Sequence, residues 1–127
     1  MQLNLRDGLA FISVAATYAG KTCVISDVIV DTGSATTMFS ANQLAALDIT
    51  PEPDDVLYTI KGVGGVEVVF SRKISCLQID SCEVTDFEIE VGGMDYGFTI
   101  NGILGMDFLL QTGAILDLEH LEISFAS

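Results

Sequence analysis

The segment Val28-Ile29-Val30-Asp31-Thr32-Gly33-Ser34 constrains the fold of this chain more than any other. Its β-branched run predicts a strand that is buried on both faces. Asp31 ends that run, and burying an unpaired carboxylate is costly. Thr32 and Ser34 offer hydroxyl groups, and Gly33 permits a tight turn in which main-chain amides approach the carboxylate. The segment therefore predicts either a rigidly held carboxyl at a strand end or an ordinary turn that begins at Asp31.

Most of the remaining chain has the pattern of short strands separated by turn residues. In one of them Phe87, Ile89 and Val91 alternate with acidic residues, which is typical of a half-buried strand. Many short strands at regular spacing indicate a sandwich or a barrel. The predicted strands span residues 9–18, 23–30, 56–60, 66–70, 74–79, 84–91, 115–118 and 121–125.

Two short helices are predicted among these strands. Ser40 begins a segment that continues to Leu47, and Gln43 lies three residues after it, which is the spacing of a capping box. The second helix is predicted from Met106 to Gln111. Gly113 lies just beyond its end, where glycine commonly terminates a helix.

Length and charge limit the possible classes of function. The 127 residues, half of them hydrophobic, suit a single domain over residues 1–127, since domains usually have about 100–200 residues. Eighteen acidic and five basic residues give a net charge of −13, which opposes binding to nucleic acid or to a membrane surface. We find no signal peptide and no apolar run of the ~20 residues that a membrane span needs, and therefore expect a cytoplasmic location.

The cysteine and histidine content argues against a metal site or another cofactor. Cys23, Cys76 and Cys82 have no zinc-site spacing, and His120 is the only histidine. A single histidine also excludes most Ser-His-Asp and Cys-His catalytic sites. A redox function of Cys76 and Cys82 is disfavoured because they do not form a Cys-x-x-Cys motif.

Two further motifs follow Asp31-Thr32-Gly33-Ser34 along the chain. Gly62-Val63-Gly64-Gly65 lies between two predicted strands, and Ile103-Leu104-Gly105 precedes the second predicted helix. With this ordered set the chain resembles the retropepsins, the single-domain aspartic proteases of retroviruses and their cellular and bacterial relatives. The resemblance extends from about Phe11 to Phe125. It implies an all-β, closed β-barrel acid-protease fold with one or two short helices, assembled as a symmetric homodimer.

The resemblance also implies an aspartic endopeptidase that acts on peptide or protein substrates without a cofactor. Such an enzyme needs two carboxylates that share one proton and one water molecule. The chain has one Asp-Thr-Gly motif, so Asp31 of two copies would meet at a twofold axis. Thr32 would brace the opposing loop and Ser34 would hydrogen-bond the outer oxygen of Asp31. Ile103-Leu104-Gly105 would pack beside the active-site loop.

Substrate contacts are expected from the same resemblance. Gly33 would offer its carbonyl to the substrate backbone, and the hairpin tip Gly62-Val63-Gly64-Gly65 would close over the bound peptide. The expected pocket walls are apolar or small and uncharged, which favours substrates with hydrophobic side chains beside the cleaved bond. These wall residues are Ile29, Ala35, Thr36, Asn101 and Ile103.

Two positions depart from the viral pattern, and one alternative function stays open. Ala35 and Met106 stand where viral members often pair an aspartate with an arginine. The segment from Ser40 to Leu47 resembles an insertion found in cellular and bacterial members. The alternative is a retropepsin-like dimer that binds peptides or partner proteins with little or no cleavage. The intact Asp-Thr-Gly-Ser motif favours catalysis, because a binding module does not need a buried carboxylate.

Overall fold

The computed structural model describes residues 1–62, 65–94 and 99–126, and these form mostly β-strands with two short helices. The strands are β1 (Asn4–Arg6), β2 (Leu9–Tyr18), β3 (Lys21–Val30), β4 (Met38–Ser40), β5 (Tyr58–Gly62), β6 (Gly65–Ile79), β7 (Cys82–Gly92), β8 (Gly102–Leu104), β9 (Ile115–Asp117) and β10 (Glu122–Ser124). The helices are α1 (Ala41–Leu44), which continues as a 3-10 turn over Ala45–Leu47, and α2 (Met106–Gln111).

Eight strands form one sheet in the order β1-β2-β3-β8-β4-β7-β6-β5, and β2 also pairs with β6. The pairings therefore join β2, β3, β8, β4, β7 and β6 in a ring. The β3–β8 and β4–β7 pairs are parallel. In the first of these, Ile29 lies opposite Ile103 and Val30 lies opposite Leu104. The two motifs that the sequence analysis selected thus end side by side.

One long strand, β6, replaces two predicted ones. The sequence predicted separate strands over residues 66–70 and 74–79, with Ser71, Arg72 and Lys73 between them. In the structure β6 runs through them in continuous register with β7, with Arg72 opposite Ile89. Arg72 is buried and contacts acidic residues of the segment before β5, so its charge is compensated within the fold.

The α2 helix has the predicted bounds and the predicted ending. Gly113 adopts a positive φ of 59°, and its N–H donates to the carbonyl of Leu110 at 3.3 Å. The N–H of Ala114 donates to the carbonyl of Leu109 at 3.0 Å. These two bonds form a Schellman motif, which satisfies carbonyl groups that the helix itself leaves unpaired.

The first helix keeps its predicted cap but is shorter and lacks the expected capping box. The Ser40 hydroxyl accepts from the N–H of Asn42 at 3.3 Å. The N–H of Ser40, which Gln43 was expected to bind, donates instead to the carbonyl of Asn101 at 2.9 Å. A tertiary hydrogen bond to Asn101, which precedes β8, thus replaces the expected local bond to the Gln43 side chain.

The main core is lined by strands and by α2. Phe108 of α2 is fully buried and meets the rings of Phe87 and Phe125 edge to face, at centroid distances of 5.5 and 6.1 Å. Burying a phenylalanine side chain contributes roughly 1.5–3 kcal/mol. Phe108 therefore fixes α2, and with it the Gly105 loop, against the sheet. None of the helices in the described residues has the length and apolar character required to cross a membrane.

Candidate active site

Asp31 lies directly after β3, in a turn that holds its carboxylate. The N–H of Asp31 donates to the carbonyl of Leu104 at 3.0 Å, which extends the β3–β8 contact by one residue. Gly33 donates its N–H to Asp31 Oδ1 at 2.8 Å, and the N–H of Ser34 donates to the Asp31 carbonyl at 3.2 Å. Asp31 is half-buried, so the turn orients a carboxylate that stays partly open to solvent.

The Gly105 segment lies against this turn. The N–H of Met106 donates to the carbonyl of Ser34 at 2.8 Å, and the N–H of Asp107 donates to the carbonyl of Ala35 at 3.2 Å. A Cβ atom on Gly105 would lie 2.3 Å from the carbonyl oxygen of Thr36. Only glycine fits at that position, because the opposing atom belongs to the backbone of the Asp31 loop.

Thr37 and Asp107 hold the two segments together, and neither was among the candidate residues chosen from the sequence. The hydroxyl of Thr37, which is fully buried, donates to Asp107 Oδ1 at 2.7 Å and accepts from the N–H of Gly105 at 3.0 Å. The Thr37 N–H donates to Asp107 Oδ2 at 3.0 Å. Phe108 donates its N–H to Asp107 Oδ1 at 2.7 Å. The sequence did offer one indication that Asp107 has a structural role, since it lies in the first turn of a predicted helix, where acidic residues are favoured.

The hydroxyl of Ser34 has a different partner from the expected one. It donates to the carbonyl of Thr36 at 2.8 Å, not to the carboxylate of Asp31. A serine hydroxyl has a single proton to donate, so this local bond competes directly with the expected one. Among the described residues, it is the N–H of Gly33 that donates to the Asp31 carboxylate.

The expected wall residues lie on both sides of the Asp31 loop and differ in exposure. Ile29 is buried in a second apolar cluster with Phe11 and Met38, and the half-buried Ile103 packs against that cluster. Asn101 is half-buried, and its side-chain amide donates to the carbonyl of Ser26 at 3.0 Å. The exposed wall and loop residues are Thr32, Gly33, Ala35 and Thr36.

The glycine-rich segment belongs to the β5–β6 hairpin. Gly62 and Gly65 are opposite each other at the end of the β5–β6 register. Val63 and Gly64 lie outside the described residues. Near the base of the hairpin, the hydroxyl of Tyr58 donates to Glu90 of β7. Burial and this contact raise the pKa of the Tyr58 phenol, which keeps its proton for the bond.

The segment that leads into β5 is held by the buried Arg72. Arg72 Nη2 donates to Asp55 Oδ2 at 2.6 Å and to the carbonyl of Thr50 at 3.2 Å. Its Nη1 lies 3.4 Å from Glu52, an ion pair without hydrogen-bond geometry. The guanidinium also lies over the ring of Phe70, at 5.5 Å from its centroid. These contacts fix the chain immediately before the hairpin.

No metal centre accompanies these residues in the part of the chain that the structure describes. Within it, no three or more His, Cys, Asp or Glu side chains are grouped in a way that could hold a metal ion. Cys23, Cys76 and Cys82 are free thiols, and burial raises the pKa of each. Raised pKa values keep the thiols protonated and weakly reactive.

Comparisons with known proteins agree with this geometry. A family model described as aspartyl protease matches residues 14–108, a range that includes Asp31, Thr37 and Gly105. No curated protein sequence matches the chain.

Solved structures with a similar fold include a retropepsin-like aspartic protease from Rickettsia conorii. It shares 20% identity at a TM-score of 0.67, over 95% of this chain and 93% of that one. The retroviral protease-like domain of Ddi1 from Leishmania major shares 14% identity at a TM-score of 0.61, over 92% of this chain and 89% of that one. These likenesses show that the fold is retropepsin-like.

Proposed function

Because the chain belongs to the aspartyl protease family, as its motifs predicted, we propose that it is an endopeptidase whose catalytic residue is Asp31. The observation that carries the proposal is the turn that holds this carboxylate. Gly33 orients Asp31 Oδ1 from 2.8 Å, while the backbone of Asp31 is bound to Leu104. A half-exposed carboxylate on a rigid backbone suits the positioning of a water molecule for attack.

The reaction needs a second carboxylate, and we propose that a second copy of the chain supplies it. The sequence has a single Asp-Thr-Gly motif. Asp107 also contacts this loop, but both of its oxygens accept bonds from Thr37 and Phe108. Asp107 is therefore committed to holding the loop. A homodimer with Asp31 of each copy at the twofold axis completes the site.

The two carboxylates would have different roles in the reaction. Two unit charges about 3 Å apart repel by roughly 5 kcal/mol at an effective dielectric constant of 20. One member of the pair therefore keeps a proton while the other is ionised. The ionised member takes a proton from the water as general base, and the protonated member polarises the carbonyl of the cleaved peptide bond.

The substrate in this proposal is a peptide segment with hydrophobic side chains beside the cleaved bond. The carbonyl of Gly33 binds the substrate backbone, and the tip Gly62-Val63-Gly64-Gly65 of the β5–β6 hairpin covers the peptide. Closure of such a hairpin excludes water from the site. The proposed walls are the residues expected from the sequence, Ile29, Ala35, Thr36, Asn101 and Ile103.

Cleavage of a peptide library between pH 3 and pH 7 tests the proposal. Asp31→Asn removes the ionisable group and is expected to lower the cleavage rate by about 100- to 10,000-fold, the usual contribution of general acid–base catalysis. Asp86→Asn, at an exposed position of β7, is the matched control and leaves the rate unchanged. Equal rates for wild type and Asp31→Asn would contradict the proposal.

Mixed dimers test whether the site is shared between two copies. A dimer of one wild-type chain and one Asp31→Asn chain keeps half of the carboxylates, but it has no complete site. We expect isolated mixed dimers to be inactive. Half of the wild-type rate in such dimers would mean that each chain carries its own site.

Peptide binding with little or no cleavage is the second candidate function. It is favoured by the likeness to the Ddi1 domain, which is described as protease-like. A folded, dimeric wild type that binds library peptides and leaves them uncut at every pH would support this candidate over the endopeptidase.

A further inference from the structure

A row of apolar side chains crosses four neighbouring strands beside the Asp31 loop. Phe11 of β2 lies opposite Ile29 of β3, and Ile29 lies opposite Ile103 of β8. Ile103 in turn lies opposite Met38 of β4. Residues directly opposite each other in a sheet present their side chains on the same face. The row, which we call the wall row, therefore contains two of the proposed pocket walls, Ile29 and Ile103, and ends at Phe11.

Arg6 of β1 lies at the Phe11 end of the wall row. Its guanidinium carbon lies over the ring of Phe11, 4.1 Å from the ring centroid. Its Nη1 donates to Asp27 Oδ1 at 2.8 Å, and its Nη2 donates to the carbonyl of Thr99, also at 2.8 Å. A guanidinium can make these contacts together, because its donors point in fixed directions in one plane while its face stacks on an aromatic ring. One side chain thus joins β1, β3 and the segment that leads into β8.

A bulge in β3 turns Asp27 towards Arg6. The register of β2 with β3 shifts between Ile12 and Val14, so that Ser26 and Asp27 of β3 face a single residue of β2. Asp27 adopts a positive φ of 55°, which aspartate tolerates better than most residues. Bulges bend a strand and redirect its side chains, and this one brings the carboxylate of Asp27 to the guanidinium.

The same bulge holds Asn101, which is itself a proposed wall residue. The N–H of Asn101 donates to the carbonyl of Asp27 at 3.0 Å, and its side-chain amide donates to the carbonyl of Ser26 at 3.0 Å. Together with the bond from Arg6 to Thr99, these contacts fix the segment before β8 against β3. Arg6 therefore supports the pocket walls both at the end of the wall row and at this segment.

We propose that Arg6 is a positioning residue that sets the preference of the proposed active site for large apolar side chains. It acts through Phe11 and Thr99 and not on the reacting atoms. The Asp31 loop has separate attachments, through Thr37, which do not involve Arg6. The inference rests on the proposed function and names the residue that keeps its side-chain pocket in shape.

Two peptides test this role: the library peptide that wild type cleaves or binds best, and a copy with alanine in place of the apolar residue beside its central bond. Arg6→Met keeps the apolar stem and removes the charge, while Arg6→Lys keeps the charge and lacks the planar fork. In each variant we expect the KM of the apolar peptide to rise about 10-fold, the lower end of what one lost methylene contact costs in an apolar pocket. We expect kcat and the KM of the alanine peptide to change little, because the loss affects side-chain binding and not the chemical step.

The control is Lys21→Met, which removes the cation of another surface ion pair and leaves both peptides unaffected. The side chain of Arg6 is 42% exposed, so both Arg6 variants are expected to fold, which circular dichroism verifies. If Arg6 only stabilised the fold, kcat/KM would fall by the same factor for the two peptides, and the preference between them would stay at its wild-type value. That result, or unchanged kinetics in both folded variants, would overturn the inference.

Binding measured in an Asp31→Asn background separates this inference from the proposed function. Fluorescence anisotropy gives the dissociation constant of each peptide there without cleavage. If wild type cleaves peptides but Arg6→Met leaves both affinities unchanged, the positioning role is wrong and the endopeptidase stands. If wild type cleaves no peptide but Arg6→Met weakens only the apolar one, by about 10-fold, the positioning role holds and the endopeptidase function fails. If neither peptide is bound or cleaved, both are wrong.

Discussion

Thr37 is the residue on which the geometry of the Asp31 loop depends most. We predict that Thr37→Val, which keeps the shape of the side chain, leaves the buried N–H of Gly105 without its acceptor and removes one of the two donors on Asp107 Oδ1. Each buried polar group without a partner costs about 1–3 kcal/mol. The free energy of unfolding, measured by urea titration, should therefore fall by about 1–3 kcal/mol. The peptide cleavage rate should fall as well, because the loop loses its attachment to the Gly105 segment.

The matched control is Thr85→Val at an exposed position of β7. Valine suits a strand at least as well as threonine, so this variant should unfold at the same urea concentration as wild type or a higher one. Similar losses in both variants would show that the buried hydroxyl of Thr37 has no special role.

The three cysteines allow a prediction about pH. Burial raises the pKa of Cys23, Cys76 and Cys82, so in the folded chain the reactive thiolate forms only at more alkaline pH than in a free thiol. Alkylation by iodoacetamide at pH 7.5 should be slower than that of the same chain unfolded in urea. The rate should rise steadily above that pH. Rapid modification of Cys76 or Cys82 in the folded protein would instead support redox chemistry.

Residue-level features were predictable where their causes are local. Asp31 and Gly33 make a contact within a single turn, and their sequence pattern was sufficient to select them. Asp107 was not selected because the motif around it lacks Thr-Gly. Its partner Thr37 is 70 positions away, and no local pattern joins the two. The hydroxyl of Ser34 was assigned to the wrong acceptor because Thr36 competes for the same proton.

Among the elements, regular patterns predicted the bounds of strands and helices well, while a buried charge inside a strand was not predictable. β2 and α2 have the predicted limits, since an apolar run and a glycine after the helix define them locally. A charged residue inside a strand usually faces water, and the prediction left a gap at Arg72 where β6 in fact continues. Arg72 is an exception, and the acids that compensate it precede β5 in the chain.

The Arg72 contacts predict a large effect on stability from a single substitution. Arg72→Met removes the charge and leaves the carboxylate of Asp55, whose side chain is only 14% exposed, without its cation. Removing one partner of a buried pair costs about 3–5 kcal/mol. Because Glu52 on the same cation is exposed, we expect a loss near the lower end, about 3 kcal/mol in the free energy of unfolding.

Lys21→Met is the control for this prediction, since Lys21 pairs with Asp48 at the surface. Exposed ion pairs contribute at most about 1 kcal/mol. Urea titration should therefore show a clearly larger loss in the free energy of unfolding for Arg72→Met than for Lys21→Met. Equal losses would indicate that the segment before β5 is held by contacts other than those of Arg72.

At the scale of the whole molecule, the order of the motifs along the chain predicted the family. Local sequence patterns did not predict the order of the strands in the sheet. The family model and the solved structures confirm the resemblance to retropepsins. Strand periodicity indicated many short strands, but it carried no information that β8 lies between β3 and β4. Such pairings join segments far apart in the chain, and only the resemblance placed Gly105 beside Asp31. That a second copy of the chain completes the active site stays a prediction.

The net charge of the whole molecule leads to a prediction about salt. Two copies that each carry a net charge of −13 repel each other at long range. The screening length falls from about 10 Å at 0.1 M salt to about 3 Å at 1 M. Sodium chloride should therefore strengthen the dimer. Near the dissociation constant, cleavage per chain should rise several-fold with salt.

Protein concentration provides the control for the salt effect. At concentrations far above the dissociation constant nearly every chain is already dimeric, so added salt should leave cleavage per chain almost unchanged. A salt effect of equal size at both concentrations would mean that salt acts on substrate binding or on the active site. A dimer that weakens as salt is added would mean that attraction between opposite charges at the interface outweighs the repulsion between the two chains.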